Sequence, residues 1–371
     1  MMRCALVHDW LTSMRGGEKM LDLLCEMFPQ ADLYTMVHTP GSVSERISNR
    51  RIKCSVLNRL PAVGRYYPNL LPLMPWAAGR MRLKDYDLVV ATSHCVAHGV
   101  SVENAGRFVG YCFTPMRYAW DIFSAYRACR PLDPRIGVLG LMRPHLRAWD
   151  RRAATRVGEY LAASEHVRKR IRDCYGREST VIYPPIDTEF FHPLGLPREP
   201  FYLWAGALAP YKRVDLFVEA FRRLNRPAVI IGTGQNLGWV RRHAPPNVQV
   251  LGWQSNDVLR RYLATCRALV FPGEEDFGIV PVEAQACGCP VIAYGKGGVA
   301  ETVLPLGSAC EGAPTGVFFQ EATAEALVEA VVRFEREESA FDPLAMRRQS
   351  LRFNRDVCRD ALRAYLLREG R

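Results

Sequence analysis

The sequence predicts an α/β protein made of two doubly wound, Rossmann-like domains facing across a cleft. Three observations predict it. Short apolar, β-branched runs alternate with segments of helical period from one end to the other, the pattern of parallel sheets connected by helices. At 371 residues the chain exceeds one ordinary core, so two domains are the expected division. A Pro- and Gly-dense stretch, His192-Pro-Leu-Gly-Leu-Pro-Arg-Glu-Pro200, splits the alternation into two arrays and reads as a linker.

Each element has a local reason. Ala5–Trp10, Tyr86–Ser93, Arg107–Phe113, Glu159–Ser164 and Thr180–Tyr183 are apolar runs expected to form one parallel sheet. Met20, Leu23, Leu24, Met27 and Phe28 make the i, i+3, i+4, i+7 stripe of a first helix, which Pro29 ends. The second array begins at Phe201–Ala205 and continues through Ala228–Ile231, Val248–Leu251, Ala268–Phe271, Pro290–Tyr294 and Val317–Phe319. Val214, Phe217, Val218 and Phe221 line one of its helices. Asp356–Leu367 reads as a last helix with Cys358, Ala361, Leu362 and Tyr365 on one side. The expected division is therefore residues 1–195, residues 196–352, and a C-terminal helix over 353–371.

Composition narrows the function classes. The hydrophobic share of 49% is ordinary for a soluble globular chain. The most apolar stretches, Leu70–Ala78 and Ile136–Met142, fall well short of the roughly 18 residues a membrane span requires. The start, Met1-Met-Arg-Cys-Ala-Leu-Val-His-Asp-Trp10, runs straight into a strand without the apolar core of a signal peptide, so a cytoplasmic location is expected. The twelve cysteines are scattered, without zinc spacing, and are expected to be reduced and buried. The net charge of +11 is uneven: residues 1–195 hold 27 Lys and Arg against 18 Asp and Glu, and residues 196–371 hold 22 against 20. A basic first half attracts anionic lipid or a diphosphate-bearing substrate. Nucleic acid is not an expected partner, because no nucleic-acid-binding module accompanies the charge.

The most informative segment is Arg267–Val303, which reads as strand, loop, helix and strand. Glu275 stands where the strand ends, and Glu283 is expected in the first helical turn, with Pro281 at the first helical position and Gly288 at the helix stop. Loops from a strand's C-terminal end into a helix are where open α/β sheets bind ligands. Two acids there repel a phosphate but suit a hydroxyl-rich ligand, since one carboxylate accepts bonds from two sugar hydroxyls. Read singly, Glu283 is also compatible with a favourable first-turn charge and Glu275 with a solvated loop acid.

Lys212 and Arg213 follow the first strand of the second array. One cation–anion pair at about 4 Å and an effective dielectric of about 20 contributes about 4 kcal/mol before desolvation, enough to matter to a leaving diphosphate. A metal is the other common means. The one Asp-x-Asp triplet, Asp85-Tyr86-Asp87, precedes a strand, opposite the end where ligands gather, so no metal site is expected. The turn Arg15-Gly16-Gly17-Glu18-Lys19 opens the first helix, and its two glycines let main-chain N–H groups approach a phosphate. Gly232-Thr-Gly234 and Gly252-Trp253-Gln254 end further strands and are candidates to frame a nucleotide base.

Glu275-x7-Glu283, with Phe277-Gly278-Ile279 between and Cys287-Gly288-Cys289-Pro290-Val291 after, resembles the donor-site signature of the retaining glycosyltransferases of family 4, which have the GT-B fold. The resemblance extends to Trp204-Ala-Gly-Ala-Leu-Ala-Pro-Tyr-Lys-Arg-Val-Asp215, to Arg15–Glu18, to Ala163-Ser164 and to Pro184-Pro-Ile-Asp187, in the family's order. It implies that Glu275 lies by the donor sugar, Glu283 holds the ribose, Lys212 binds the diphosphate, and the last helix crosses back to the first domain. It also implies Gly16 and Gly17 as contacts to the diphosphate or acceptor. Two positions depart from the pattern. Ala207 stands where many members have Arg, and Phe113, in Tyr111-Cys-Phe-Thr-Pro-Met-Arg117, where many have His. Arg213 or Arg117 could replace the lost cation; either Thr114 and Arg117 cover these roles, or the active site works differently from the family's usual one.

Residues 57–84 mix Arg59, Arg65, Arg80, Arg82 and Lys84 with Tyr66, Tyr67, Leu70, Leu71, Met74 and Trp76, and hold no acid. That composition suits an anionic membrane surface and equally an ordinary packed insertion. His8-Asp-Trp-Leu-Thr12 and Thr114–Asp121 look most like bacterial polysaccharide-assembly mannosyltransferases. The resemblance thus implies transfer of a hexose, first of all mannose from GDP-mannose, to a polyprenyl-diphosphate-linked glycan at the inner face of the cytoplasmic membrane, without a cofactor. A nucleotide-sugar 2-epimerase and a non-catalytic nucleotide-sugar-binding scaffold are the alternatives.

Overall fold

The computed structural model describes residues 2–368, apart from 121–122, 124–126, 128–133 and 308–311. Asp121 of the expected motif therefore lies outside the described residues. The chain divides into two compact units, Met1–Pro185 with Cys358–Arg371, and Ile186–Val357.

The first unit is built on a seven-stranded parallel sheet in the order β3-β2-β1-β5-β7-β8-β9. Its strands are β1 (Cys4–Leu11), β2 (Asp32–His38), β3 (Ile52–Cys54), β5 (Leu88–Ser93), β7 (Arg107–Cys112), β8 (Glu159–Ala162) and β9 (Thr180–Val181). β4 (Arg82–Lys84) and β6 (Ser101–Glu103) form a separate pair. β1 and β5 are buried along nearly their whole length, as a sheet covered on both faces demands. β2 and β3 were not among the expected strands. Thr35 interrupts the apolar run of β2, and is tolerated because its hydroxyl bonds the Val37 carbonyl at 3.4 Å in the fully buried interior.

The second unit carries a six-stranded parallel sheet in the order β12-β11-β10-β13-β14-β15. The strands are β10 (Tyr202–Ala205), β11 (Ala228–Ile231), β12 (Val248–Gly252), β13 (Ala268–Phe271), β14 (Val291–Tyr294) and β15 (Gly316–Phe319). In the helix Val214–Leu224 the expected stripe of Val214, Phe217, Val218 and Phe221 is buried.

Two boundaries differ from the expected ones. The first unit ends at Pro185, and the Pro/Gly-dense stretch belongs to the second unit. The reason is pairing: Ile186 bridges Asn354, Arg347 donates to the carbonyls of Thr188 (2.6 Å) and Phe191 (2.8 Å), and Phe191 joins the second unit's core. The last helix spans Arg355–Leu366, and from Cys358 onward it belongs to the first unit. Cys358, Leu362 and Leu366 enter the first core, whereas Ala361, expected on that face, is exposed.

The end of this helix is held by charge. Arg107 donates to the carbonyls of Leu366 (2.9 Å) and Tyr365 (3.3 Å), satisfying acceptors that a helix end leaves open. Glu159 accepts from Arg107 (2.9 Å) and from the Tyr365 hydroxyl (2.8 Å). Burial pushes the Glu159 carboxyl up, but these two hydrogen bonds and the Arg107 and Arg368 charges hold it below its ordinary value. A depressed carboxyl stabilises above its unfolded value of 4.5 and loses that contribution as pH falls through the folded value. Glu159→Gln should therefore flatten the loss of thermal stability expected on acidification below that pH. In hydrogen exchange at neutral pH it should speed the amides of residues 358–366, with a stability loss of about 1–2 kcal/mol.

Candidate active site

In the second sheet β10 is central, with β11 and β12 on one side and β13 to β15 on the other. The order reverses between β10 and β13, so the connections leave in opposite directions and open a crevice at the strands' C-terminal ends. The loops after these two strands carry Lys212 and Glu275. They meet as an ion pair, Lys212 Nζ to Glu275 Oε1 at 2.5 Å, with both side chains mostly buried. The pair's position is set by main-chain contact: a Cβ on Gly273 would stand 2.7 Å from Lys212 Cα and 2.9 Å from the Tyr211 carbonyl oxygen. On its other side Glu275 bridges Gly297, and its carbonyl accepts from Gly298 N–H at 2.8 Å.

The loop enters the helix Ile279–Ala286 through Gly278, whose φ of +84° favours a residue without Cβ. Ile279 is thus the first helical residue, and Pro281 is the third, where its missing N–H still costs nothing. Glu283 falls in the second turn, not the expected first, and is only 3% exposed. A favourable first-turn charge therefore does not account for it. Phe277 is buried edge-on to Phe353, 5.6 Å between ring centres, which makes it part of the packing under the loop. Gly288 (φ +75°) follows the helix end as expected.

The other expected residues separate. Arg213 turns from Lys212 and chelates Asp215, with contacts of 2.9–3.1 Å. Gly234 packs on the Leu208 main chain, where a Cβ would come within 2.8 Å, and so joins the loops after β10 and β11. Trp253 projects outward, 73% exposed. In the first unit, Gly16 and Gly17 begin the helix Gly16–Met27, and Glu18 caps it by accepting from Arg15 N–H at 2.9 Å. Thr114 is buried and donates to the Pro115 carbonyl, while Arg117 opens the short helix Arg117–Trp120. Asp87 accepts the Arg3 N–H at 2.6 Å and the Asp85 carbonyl accepts from the Arg3 side chain, so the Asp-x-Asp triplet ties β1 to the start of β5. Among the described residues no three His, Cys, Asp or Glu side chains gather as a metal site.

One cluster was missed. The first sheet reverses its order between β1 and β5, and at their C-terminal ends stand His8, Asp9 and His94. Asp9 is fully buried and accepts four main-chain N–H groups, from His94 (2.6 Å), Cys95 (3.0 Å), Val96 (2.6 Å) and Ala97 (2.7 Å), plus the His94 Nδ1 at 3.0 Å. Burial pushes its carboxyl up, but the charge and hydrogen bond of His94 together with His8 hold it well below the usual range. Conversely, burial pushes His94 down, and Asp9 and Glu18 outweigh both that and Arg117, so its imidazole lies above 6.5. The available signal was a His-Asp late in β1 and a Ser-His at the end of β5.

Two parallel, doubly wound sheets with charged pairs at their switch points define a Rossmann-type, ligand-binding α/β protein of the GT-B class. Residues 14–190 match the family described as Glycosyltransferase Family 4, and residues 186–350 match Glycosyl transferases group 1. Anabaena HepE in complex with UDP and glucose superposes with a TM-score of 0.68 at 16% identity over 98% of both chains. Sucrose-phosphate synthase from Thermosynechococcus elongatus gives 0.71 at 17% identity over 98% of this chain and 97% of that one, and both likenesses concern the fold. An uncharacterized glycosyltransferase of Methanocaldococcus jannaschii is 29% identical over 41% of this chain and 44% of its own length. A D-inositol 3-phosphate glycosyltransferase of Mycobacterium sp. (strain KMS) is 31% identical over 32% of each chain. A GDP-mannose-dependent monoacylated alpha-(1-6)-phosphatidylinositol monomannoside mannosyltransferase of Corynebacterium glutamicum is 29% identical over 44% of this chain and 51% of its own length. The matches thus span between a third and about a half of these curated relatives. The chain belongs to the family 4 glycosyltransferases.

The close approach at Gly273 generates a test. Gly273→Ala should force the loops after β10 and β13 apart, costing about 1–3 kcal/mol in urea unfolding.

Proposed function

We propose that the chain transfers a hexose from a nucleotide sugar to a lipid-linked glycan, with retention and without a metal ion. The observation that carries this reading is the Lys212–Glu275 pair at the switch point of the second sheet. Two mostly buried opposite charges that touch each other are stable without ligand, and each is the right partner for one part of a nucleotide sugar. The diphosphate attracts the ammonium of Lys212, which frees the Glu275 carboxylate to accept hydroxyls of the sugar. As the bond from the anomeric carbon to the diphosphate breaks, negative charge gathers on the leaving oxygen and Lys212 stabilises it. The acceptor oxygen bonds to the anomeric carbon, and its proton passes to the leaving phosphate. Glu283, buried one helical turn beyond, is assigned to the ribose hydroxyls.

GDP-mannose is the first donor to try, because the Corynebacterium glutamicum relative is named for it. UDP-glucose is the second, on the strength of a HepE structure in complex with UDP-glucose. The acceptor side of the reading, including surface-polysaccharide assembly at the inner membrane face, rests on residues 57–84. Leu60, Leu73 and Trp76 are exposed there beside Arg59, Arg65 and Arg80, with the Arg80 guanidinium 4.6 Å from the Trp76 ring centre, while Leu57, Leu71 and Met74 are buried. An outward face of aromatic, aliphatic and basic groups suits an anionic bilayer. No described helix is long and apolar enough to cross one.

GDP-mannose at about 100 times its Kd should add about 2.7 kcal/mol of stability, read as a rise in Tm. Glu283→Ala should weaken nucleotide binding, whereas Glu275→Ala should lower kcat more than nucleotide affinity; unchanged kinetics in both would defeat the assignment. Incubation with donor alone, followed by sugar analysis, separates transfer from 2-epimerisation, since only the latter inverts C2 without acceptor. For the membrane face, the double variant Leu73→Ser, Trp76→Ser should lose co-sedimentation with phosphatidylglycerol vesicles and keep its nucleotide affinity. Equal sedimentation of variant and wild type would assign the segment to ordinary packing.

A further inference from the structure

Two thiols that the proposed chemistry does not use meet at the other end of the second sheet. Cys266 follows the helix Asn256–Thr265 and precedes β13, and Cys289 precedes β14. β13 and β14 are parallel neighbours, with Leu269 opposite Val291, so their starts lie side by side. The Cys266 and Cys289 sulfurs touch at 3.3 Å, both free and both 0% exposed. Main-chain bonds hold the two residues there: Cys266 N–H donates to the Tyr262 carbonyl at 2.9 Å, and Cys289 N–H to the Ala284 carbonyl at 2.8 Å. A disulfide bond is about 2.05 Å long, so about 1.3 Å separates this contact from a covalent link.

Buried structural thiols are inert, because burial keeps them protonated. This pair differs in having a cation beside it. Arg198 donates to the Cys266 carbonyl at 2.7 Å and to the Gly288 carbonyl. Burial pushes the Cys289 thiol up, but the hydrogen bond from Cys266 and the Arg198 charge outweigh it and hold Cys289 below its ordinary value. Burial and the same hydrogen bond push Cys266 up. Cys289 is thus the readier thiolate and Cys266 the proton donor. Arg198 is half-buried, and residues 195–197 and 199–200 beside it are exposed, so the group next to the sulfurs itself meets solvent.

We propose that Cys266 and Cys289 are a reversible redox pair, oxidised to a disulfide by a hydroperoxide. With hydrogen peroxide, the Cys289 thiolate attacks one oxygen, the O–O bond breaks, and the departing hydroxide takes up a proton as water, leaving a sulfenic acid. The Cys266 sulfur then attacks the Cys289 sulfur, the S–O bond breaks, and the hydroxyl leaves as water with the Cys266 proton. Two thiols lose two electrons and two protons, and one peroxide becomes two waters. The link closes a ring from 266 to 289 that contains β13, Glu275, the helix Ile279–Ala286 and Glu283. Oxidation thereby fastens the segment that carries both acids, chiefly by constraining the unfolded chain.

The full chain is treated with hydrogen peroxide, quenched with catalase, unfolded in urea with N-ethylmaleimide and digested without reductant. Mass spectrometry should show the peptides of Cys266 and Cys289 joined, and dithiothreitol should separate them. The oxidised chain should melt at least about 4 °C above the reduced one, a rise that dithiothreitol abolishes and that Cys289→Ala lacks. Arg198→Gln, which keeps both sulfurs and removes the charge, should slow disulfide formation about tenfold. Recovery of both thiols as maleimide adducts, or a Cys289 sulfinic acid with no link to Cys266, overturns the proposal. So does a link that leaves Tm unchanged. Should Cys289→Ala not fold, Cys266→Ala is the unlinked control, and the wild-type peptide map decides by itself whether the link forms.

Discussion

A parallel sheet whose first strand is central must reverse its order beside that strand, and the rest of this molecule's chemistry depends on that constraint. In both sheets the reversal falls between the first strand and its neighbour, β1 with β5 and β10 with β13. The reversal leaves a gap at the strands' C-terminal ends that no connection crosses. In both sheets a carboxylate and a basic side chain span it: Asp9 with His94, and Glu275 with Lys212. Charges enter such a place because it is lined by main-chain ends with unpaired polar groups. They remain because each has its opposite within contact distance.

The two pairs are built differently, and the difference bears on function. Asp9 accepts five hydrogen bonds and is fully buried, so it cannot exchange its partner without exposing four main-chain N–H groups. It is a fixed anchor, and what it fixes is the orientation of a histidine. Glu275 is held through its main chain, by the bridge to Gly297 and the bond from Gly298, while its carboxylate is engaged by one lysine. That side chain can change partner at the cost of a single contact. One pair thus presents a group, and the other can open to receive one.

Much of the architecture was legible because a doubly covered sheet demands apolar runs and its helices demand a stripe. The placement of Glu275 and Lys212 on the loops after β13 and β10 was legible for the same reason, since the loop that follows an apolar run leaves from a strand end. The helix around Glu283 was misplaced because Pro281 suits any position of the first turn, and only the φ of Gly278 decides where that turn begins. The 192–200 segment was mistaken for a linker because Pro and Gly report local geometry, whereas its tie to the second unit is made by Arg198 and Glu199, which donate to the carbonyls of Cys266 and Thr265, more than 60 positions away. His94 was passed over for a related reason. Its significance lies in the hydrogen bonds of Asp9, 85 residues earlier, and spacing alone carries no trace of them.

The last helix shows how a chain with two cores assigns its own end. Its first residues lie with the second unit and its remainder with the first. The anchoring charges sit at the far end: Glu159 at the start of β8, Arg107 at the start of β7, and the hydroxyl and carbonyl of Tyr365. All of these lie at the N-terminal ends of the strands, opposite the switch point. The fold thereby separates its two uses of charge. Groups at one end of the first sheet are saturated by one another and hold the tail, while at the other end Asp9 fixes the orientation of His94.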